Sequence, residues 1–207
     1  MFCDRINAGK KLAQKIQSEL NFDRQNTIIL ALPRGGVVVA FEVAKILKLS
    51  LDIMVTRKIG YPFNSEYAVA AVSAHEIILS KQEEADKKYL DRQVRIERQE
   101  IARRMKEYRK GKPYPELKNK TVILVDDGLA TGLTMEVAIS ETKFLKAAKI
   151  ILAVPVAPSN TVCKLEPMVD KIIVLEIEPN FFAVGQFYQN FAQITDREVI
   201  SLLNCNR

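Results

Sequence analysis

The chain has 207 residues, 48% of them hydrophobic, and a formal charge of +6. That length suits a single domain, and that hydrophobic share supports a sizeable core and excludes a disordered chain. The positive balance fits an anionic partner, whether nucleic acid, a phosphate compound or a membrane surface, and the three scattered cysteines show neither metal spacing nor a disulfide framework, which suits a reducing, cytoplasmic setting.

The N-terminus meets charge at Asp4 and Arg5, unlike a signal peptide, and no apolar run approaches the length of a membrane span. Leu12, Ile16 and Leu20 recur at helical spacing over residues 8–20. The apolar run 27–32 reads as a strand that ends at Pro33-Arg34-Gly35-Gly36, a turn signal. A helix follows, then a second strand over 50–56, so these residues form a βαβ unit. Residues 67–80 read as a hairpin. Residues 83–110 read as one long helix with Leu90, Val94, Ile101, Met105 and Tyr108 on its apolar stripe and ion pairs such as Glu100/Arg104 on its wet side. Then come a strand (121–126), a helix (133–146), a strand (150–155), a short helix (160–165), a strand (171–175), an aromatic segment holding Phe181, Phe182, Phe187, Tyr188 and Phe191, and a helix from Asp196. Alternating helices and buried, non-alternating strands predict an α/β fold with a parallel sheet covered on both faces. Ligands in such sheets bind at the carboxyl ends of the strands.

Three strand ends carry unusual residues: Arg34-Gly35-Gly36, Arg57-Lys58-Ile59-Gly60, and the run from Asp126 to Thr134. In the last, the small residues from Ala130 lead into a helix, so free amides and the helix N-terminus form an anion nest suited to a phosphate, with Thr131 and Thr134 adding hydroxyl donors. Two carboxylates beside a phosphate site repel it unless something lies between. Sugar hydroxyls and Mg²⁺ serve that purpose, so a phosphorylated ribose fits: phosphate in the nest, hydroxyls on Asp126 and Asp127. Plainer readings stand beside these. The acidic loop is also an N-capped turn, the first and second loops also make ordinary turns, and the basic long helix is also a solvated face. His75, the only histidine, reads as a strand residue without a catalytic part.

The run Val122–Thr134 resembles the phosphoribosyl diphosphate signature of type I phosphoribosyltransferases: four apolar residues, two acids, then small residues, Gly and Thr. Gly128 departs from the aliphatic residue usual there and predicts a looser turn. Residues 31–40 are similar to the first diphosphate loop of the xanthine–guanine enzymes, and Arg57–Gly60 takes the place of the second diphosphate-contacting segment. The pattern looks most like a stand-alone bacterial and archaeal subfamily whose acceptor is unassigned. The resemblance implies one phosphoribosyltransferase domain over residues 1–207, with a core at about 27–176 and a small hood from the N-terminal segment and about 177–207. It implies a transferase of nucleotide metabolism that binds Mg²⁺ and phosphoribosyl diphosphate and releases diphosphate. Arg34, Gly35, Gly36, Arg57, Lys58 and Asp126, Asp127, Gly128, Leu129, Ala130, Thr131, Gly132, Leu133 and Thr134 would bind that substrate. Asp126, Asp127 and Arg57 would act in catalysis. The two aspartates would meet the metal mostly through the ligand. A cis or strained peptide is expected in the first loop near Leu32–Arg34.

The acceptor would be a small nitrogenous base, with a purine favoured. Phe182 and Val184 are the base-binding candidates, because the hypoxanthine–guanine enzymes also follow an aromatic with Val-Gly. Those enzymes carry an Asp at the position of Ala130, so Glu66 is the replacement candidate for acid–base work. The resemblance is compatible with a homodimer and with a cytoplasmic protein. The other class is a regulatory protein that senses phosphoribosyl diphosphate and binds nucleic acid through a basic surface. The sequence shows no helix-turn-helix or zinc motif in its favour.

Overall fold

The computed structural model describes residues 1–62, 64–80 and 86–205, with the side chains of residues 64–67 set aside. The elements run α1 (Arg5–Glu19), β1 (Thr27–Ala31), α2 (Gly35–Leu47), β2 (Ser50–Ile53), β3 (Arg57–Tyr61), β4 (Asn64–Val72), β5 (Ile77–Leu79) and α3 (Lys87–Arg109). Then follow β6 (Thr121–Val125), α4 (Leu133–Phe144), β7 (Lys149–Pro158), α5 (Ser159–Leu165), β8 (Lys171–Glu178) and α6 (Asp196–Cys205). Five strands form a parallel sheet in the order β2-β1-β6-β7-β8.

Each central strand is buried on both sides, and its side chains alternate between two cores. Ile29, Ile123 and Ile151 pack with Leu12, Val43 and Val199 from α1, α2 and α6. Leu30, Leu124 and Leu152 point the other way, onto Met135, Ile139 and Leu165 from α4 and α5. The expected sheet covered by helices on both faces is therefore what these apolar runs build, since only two dry faces can bury them. Right-handed crossovers explain the sides. The β1–α2–β2 connection moves one way from the centre and β6–α4–β7 the other, which puts α2 and α4 on opposite faces.

Two predictions differ from the structure. The second strand ends at Ile53, and Arg57–Gly60 belongs to β3 of a separate antiparallel sheet ordered β3-β4-β5. Here Arg57 lies opposite Val72 and Lys58 opposite Ala71. The segment is thus not a loop at the edge of the main sheet. Its alternating, β-branched and small residues find a ladder partner in β4 instead. The long helix begins at Lys87, with Asp86 capping it by accepting from the Tyr89 amide at 3.1 Å; the predicted start at Glu83 lies outside the described residues. Ile101 and Tyr108 of its stripe are buried, and Leu90, Val94 and Met105 pack against the same core. No helix among the described residues is long and apolar enough to cross a membrane.

Candidate active site

Strand order reverses between β1 and β6, because β1 is followed outward by β2 and β6 by β7. In open parallel sheets the loops at such a switch point splay apart and leave a crevice. The two loops here are Pro33–Gly36 and Asp126–Gly132, and they touch. A Cβ added to Gly35 would lie 1.9 Å from Asp127 Oδ2, and one added to Gly36 would lie 2.7 Å from Asp126 Oδ1. The glycine pair thus lets the start of α2 sit directly on the two acids. The Pro33–Arg34 peptide is cis, within the span where the sequence led one to expect it.

The acids differ in environment. The Asp126 carboxylate accepts from the Asp127 amide at 2.8 Å. Burial first, and then the charge of Asp127, raise its pKa well above the usual carboxylate range. Asp127 instead has a counter-ion, Arg5, whose Nε donates to Oδ2 at 2.7 Å. Arg5 is 8% exposed and comes from the first turn of α1. Its Nη1 donates to the Ala192 carbonyl at 2.8 Å, and its guanidinium lies 3.7 Å from the centroid of the Phe191 ring. The Tyr188 hydroxyl donates to the Asp127 main-chain oxygen at 2.6 Å. Burial and the Asp127 charge push that phenol up, so it stays a proton donor.

The loop after the acids is fixed by both neighbours. The Leu129 amide donates to the Val156 carbonyl at 2.9 Å, and the Thr161 hydroxyl to the Ala130 carbonyl at 2.6 Å. Gly132 has φ +77°, and a Cβ there would meet Thr161 Cγ2 at 2.7 Å, so glycine is required on both counts. Ala130 and Thr131 are exposed. Among the described residues, no acceptor takes the amides of Ala130, Thr131 or Gly132. These amides and the start of α4 line an open cavity of about 1030 Å³. Lys58, Asn160, Lys164, Phe181 and Phe182 line it too.

A family profile described as "Phosphoribosyl transferase domain" matches residues 4–191. The chain belongs to the phosphoribosyl transferase family. It is 37% identical over 209 residues to Rv0571c of Mycobacterium tuberculosis (strain ATCC 25618 / H37Rv), whose name assigns it provisionally to the phosphoribosyl transferases. That match covers 99% of this chain and 46% of the mycobacterial protein, so the chain spans about half the length of the curated relatives it matches. The crystal structure of TT1426 from Thermus thermophilus shares 37% identity and a TM-score of 0.80, over 98% of this chain and 97% of that one. A purine phosphoribosyltransferase from Pyrococcus horikoshii Ot3 shares the fold alone, at 19% identity and a TM-score of 0.50, over 92% of this chain and 93% of that one.

Within this phosphoribosyl transferase fold, the predicted residues fall into three groups. Lys58, Gly128–Thr134 and Phe182 line one cavity, with Phe182 92% exposed at its rim. Gly35, Gly36, Asp126 and Asp127 are packed together and do not line the cavity themselves, although Asp127 directly precedes Gly128, which does. The rest stand apart. Arg57 Nε binds Glu97 of α3 at 2.7 Å and does not line the cavity, because neighbouring residues of a strand point to opposite faces. Arg34 lies 3.6 Å from Asp196, which also accepts from the Tyr108 hydroxyl at 2.6 Å. Val184 does not line the cavity but packs on Gly128, which does: a Cβ at Gly128 would fall 2.6 Å from Val184 Cγ1. Close approach of the C-terminal segment, not a looser turn, therefore accounts for Gly128, whose φ is not positive. The side chain of Glu66 lies outside the described residues. Arg5, Tyr188, Thr161 and Lys164 were missed, since each reaches the site from an element remote in sequence.

The donor set also bears on Mg²⁺. Hard carboxylate oxygens suit that ion, yet no three candidate ligand side chains converge among the described residues. The two aspartates fit an ion held chiefly by a ligand's phosphates and by water.

Proposed function

We propose that the protein binds Mg²⁺–phosphoribosyl diphosphate and transfers its phosphoribosyl group to a nitrogenous base, purine-like in shape, with release of diphosphate. The observation that carries this is the pairing of free loop amides with two acids at the sheet's switch point. The 5′-phosphate would enter the nest at Ala130–Thr134, where backbone dipoles and the α4 N-terminus favour an anion. Asp126 and Asp127 would face the ribose hydroxyls. As the bond from C1 to the diphosphate loosens, positive charge develops on the ring. A carboxylate held close to it is worth more in that state than in the ground state. Lys58 and the amides of Gly35 and Gly36 would meet the leaving diphosphate, and Arg34 would join them on turning away from Asp196. Bound Mg²⁺ supplies further screening of that charge. Phe182 offers a flat face to the acceptor at the open rim.

Calorimetric titration with phosphoribosyl diphosphate, with Mg²⁺ and with a chelator, tests the first half. Tighter binding with the metal is expected, and no binding in either condition overturns the reading. A diphosphate-release assay over a panel of bases tests the second half. Tight binding without release for any base would leave a sensor of the same ligand, which salt-dependent nucleic-acid binding would then support.

A further inference from the structure

We propose that Arg5 is a positioning residue for Asp127, and that the C-terminal segment seats it; this rests on the phosphoribose reading above. A guanidinium that is only 8% exposed is costly to desolvate, so its partners must be good. Arg5 has three. Nε holds Asp127 Oδ2 at 2.7 Å, Nη1 holds the Ala192 carbonyl at 2.8 Å, and the face of the group lies 3.7 Å from the Phe191 centroid. Planar, forked recognition of this kind is beyond a lysine.

The geometry commits one oxygen of Asp127. The Cβ site of Gly35 lies 1.9 Å from Oδ2 and 2.9 Å from Arg5 Nε, so the first loop closes over the pair. On the phosphoribose reading, Oδ1 is the oxygen that would meet a ligand hydroxyl. Residues 188–192 hold Asp127 twice: Tyr188 grips its main-chain oxygen, and Phe191 and Ala192 grip the arginine on its side chain. The Tyr188 and Phe191 rings lie 5.0 Å apart and form one unit. The ribose acid is thus aimed by the chain's N-terminal helix and its C-terminal segment together.

A plain fold tether would behave differently, because its loss would lower stability without choosing between ligands. Two probes separate the cases in calorimetric titrations of the full chain: ribose 5-phosphate, which carries the hydroxyls, and inorganic phosphate, which carries only the group for the nest. Arg5→Met should bind ribose 5-phosphate about tenfold more weakly, as befits a lost charge-assisted contact, with phosphate affinity within about twofold of the wild type. Phe191→Ala removes the seat and leaves every hydrogen-bonding group in place; it should give the same selective loss at about threefold, and it decides the matter if Arg5→Met does not fold. Equal loss for both probes, or no loss for either, in folded variants overturns the inference alone. A wild type that binds ribose 5-phosphate no better than phosphate overturns the phosphoribose reading, and this inference with it.

Discussion

The switch-point loop Pro33–Gly36 and the strand Arg57–Tyr61 look alike in sequence, since each follows an apolar run and joins basic character to glycine. The structure treats them differently. At the switch point the side chains are held within their neighbourhood, with glycines on carboxylates, Thr161 on Ala130 and Arg5 on Asp127, while the loop amides stay open. In β3, alternation splits adjacent cations, sending Arg57 to Glu97 and Lys58 to the cavity. A loop at a parallel sheet's edge delivers consecutive residues to one place, whereas a strand delivers every second one.

The largest effect should come from filling the glycine contact. Gly35→Val places carbon atoms where Asp127 Oδ2 stands, so affinity for phosphoribosyl diphosphate should fall by more than about 100-fold, roughly the loss of two charge-assisted contacts. Calorimetry that found affinity intact would show that the loops need not touch. Asp127→Asn should lower turnover by about 100-fold, in the range of a lost transition-state contact, and binding much less. Its melting temperature should also drop by several degrees, because the buried Arg5 charge loses its partner. Normal turnover in that folded variant would remove the assigned role.

The strand offers a paired test. Lys58→Met should weaken phosphoribosyl diphosphate binding about tenfold, the worth of one charged contact, and Arg57→Met by less than about threefold. If Arg57→Met proved the more damaging, the side chain would have to leave Glu97 to act. Phe182→Ala should raise the acceptor's KM about tenfold, since base stacking is worth on the order of 1–3 kcal/mol, without moving the melting temperature of a side chain that is 92% exposed.

The smallest effect separates the two acids themselves. The Asp126 pKa is raised in the folded state by burial and by Asp127, so the folded chain holds that proton more tightly than the unfolded one. Its contribution to stability is therefore full below about pH 3.9 and is lost as pH rises through the folded value. Asp126→Asn stays neutral throughout and should melt a few degrees above the ligand-free wild type at pH 8, with the two converging near pH 4. Parallel melting curves at all pH values would mean that Asp126 is not held against its ionisation.

The parallel sheet, the small loop that opens α4 and the glycine-bearing turn that opens α2 were legible in the order of the residues alone. Each rests on neighbours along the chain: Val122–Val125 are apolar on both faces, Gly132 has a φ that favours glycine, and the acids directly precede the nest. Tertiary structure alone decided which charge meets which acid. Arg5 and Asp127 are 122 residues apart, Arg57 and Glu97 are 40 apart, and Arg34 meets Asp196 through the packing of α6. Gly128 is small because Val184 arrives from another part of the chain. Helical and strand periods record which side of an element is dry, and turn residues record local backbone angles. Neither records which remote element will cover that side, so a salt bridge between the termini and the site leaves no mark in the local pattern.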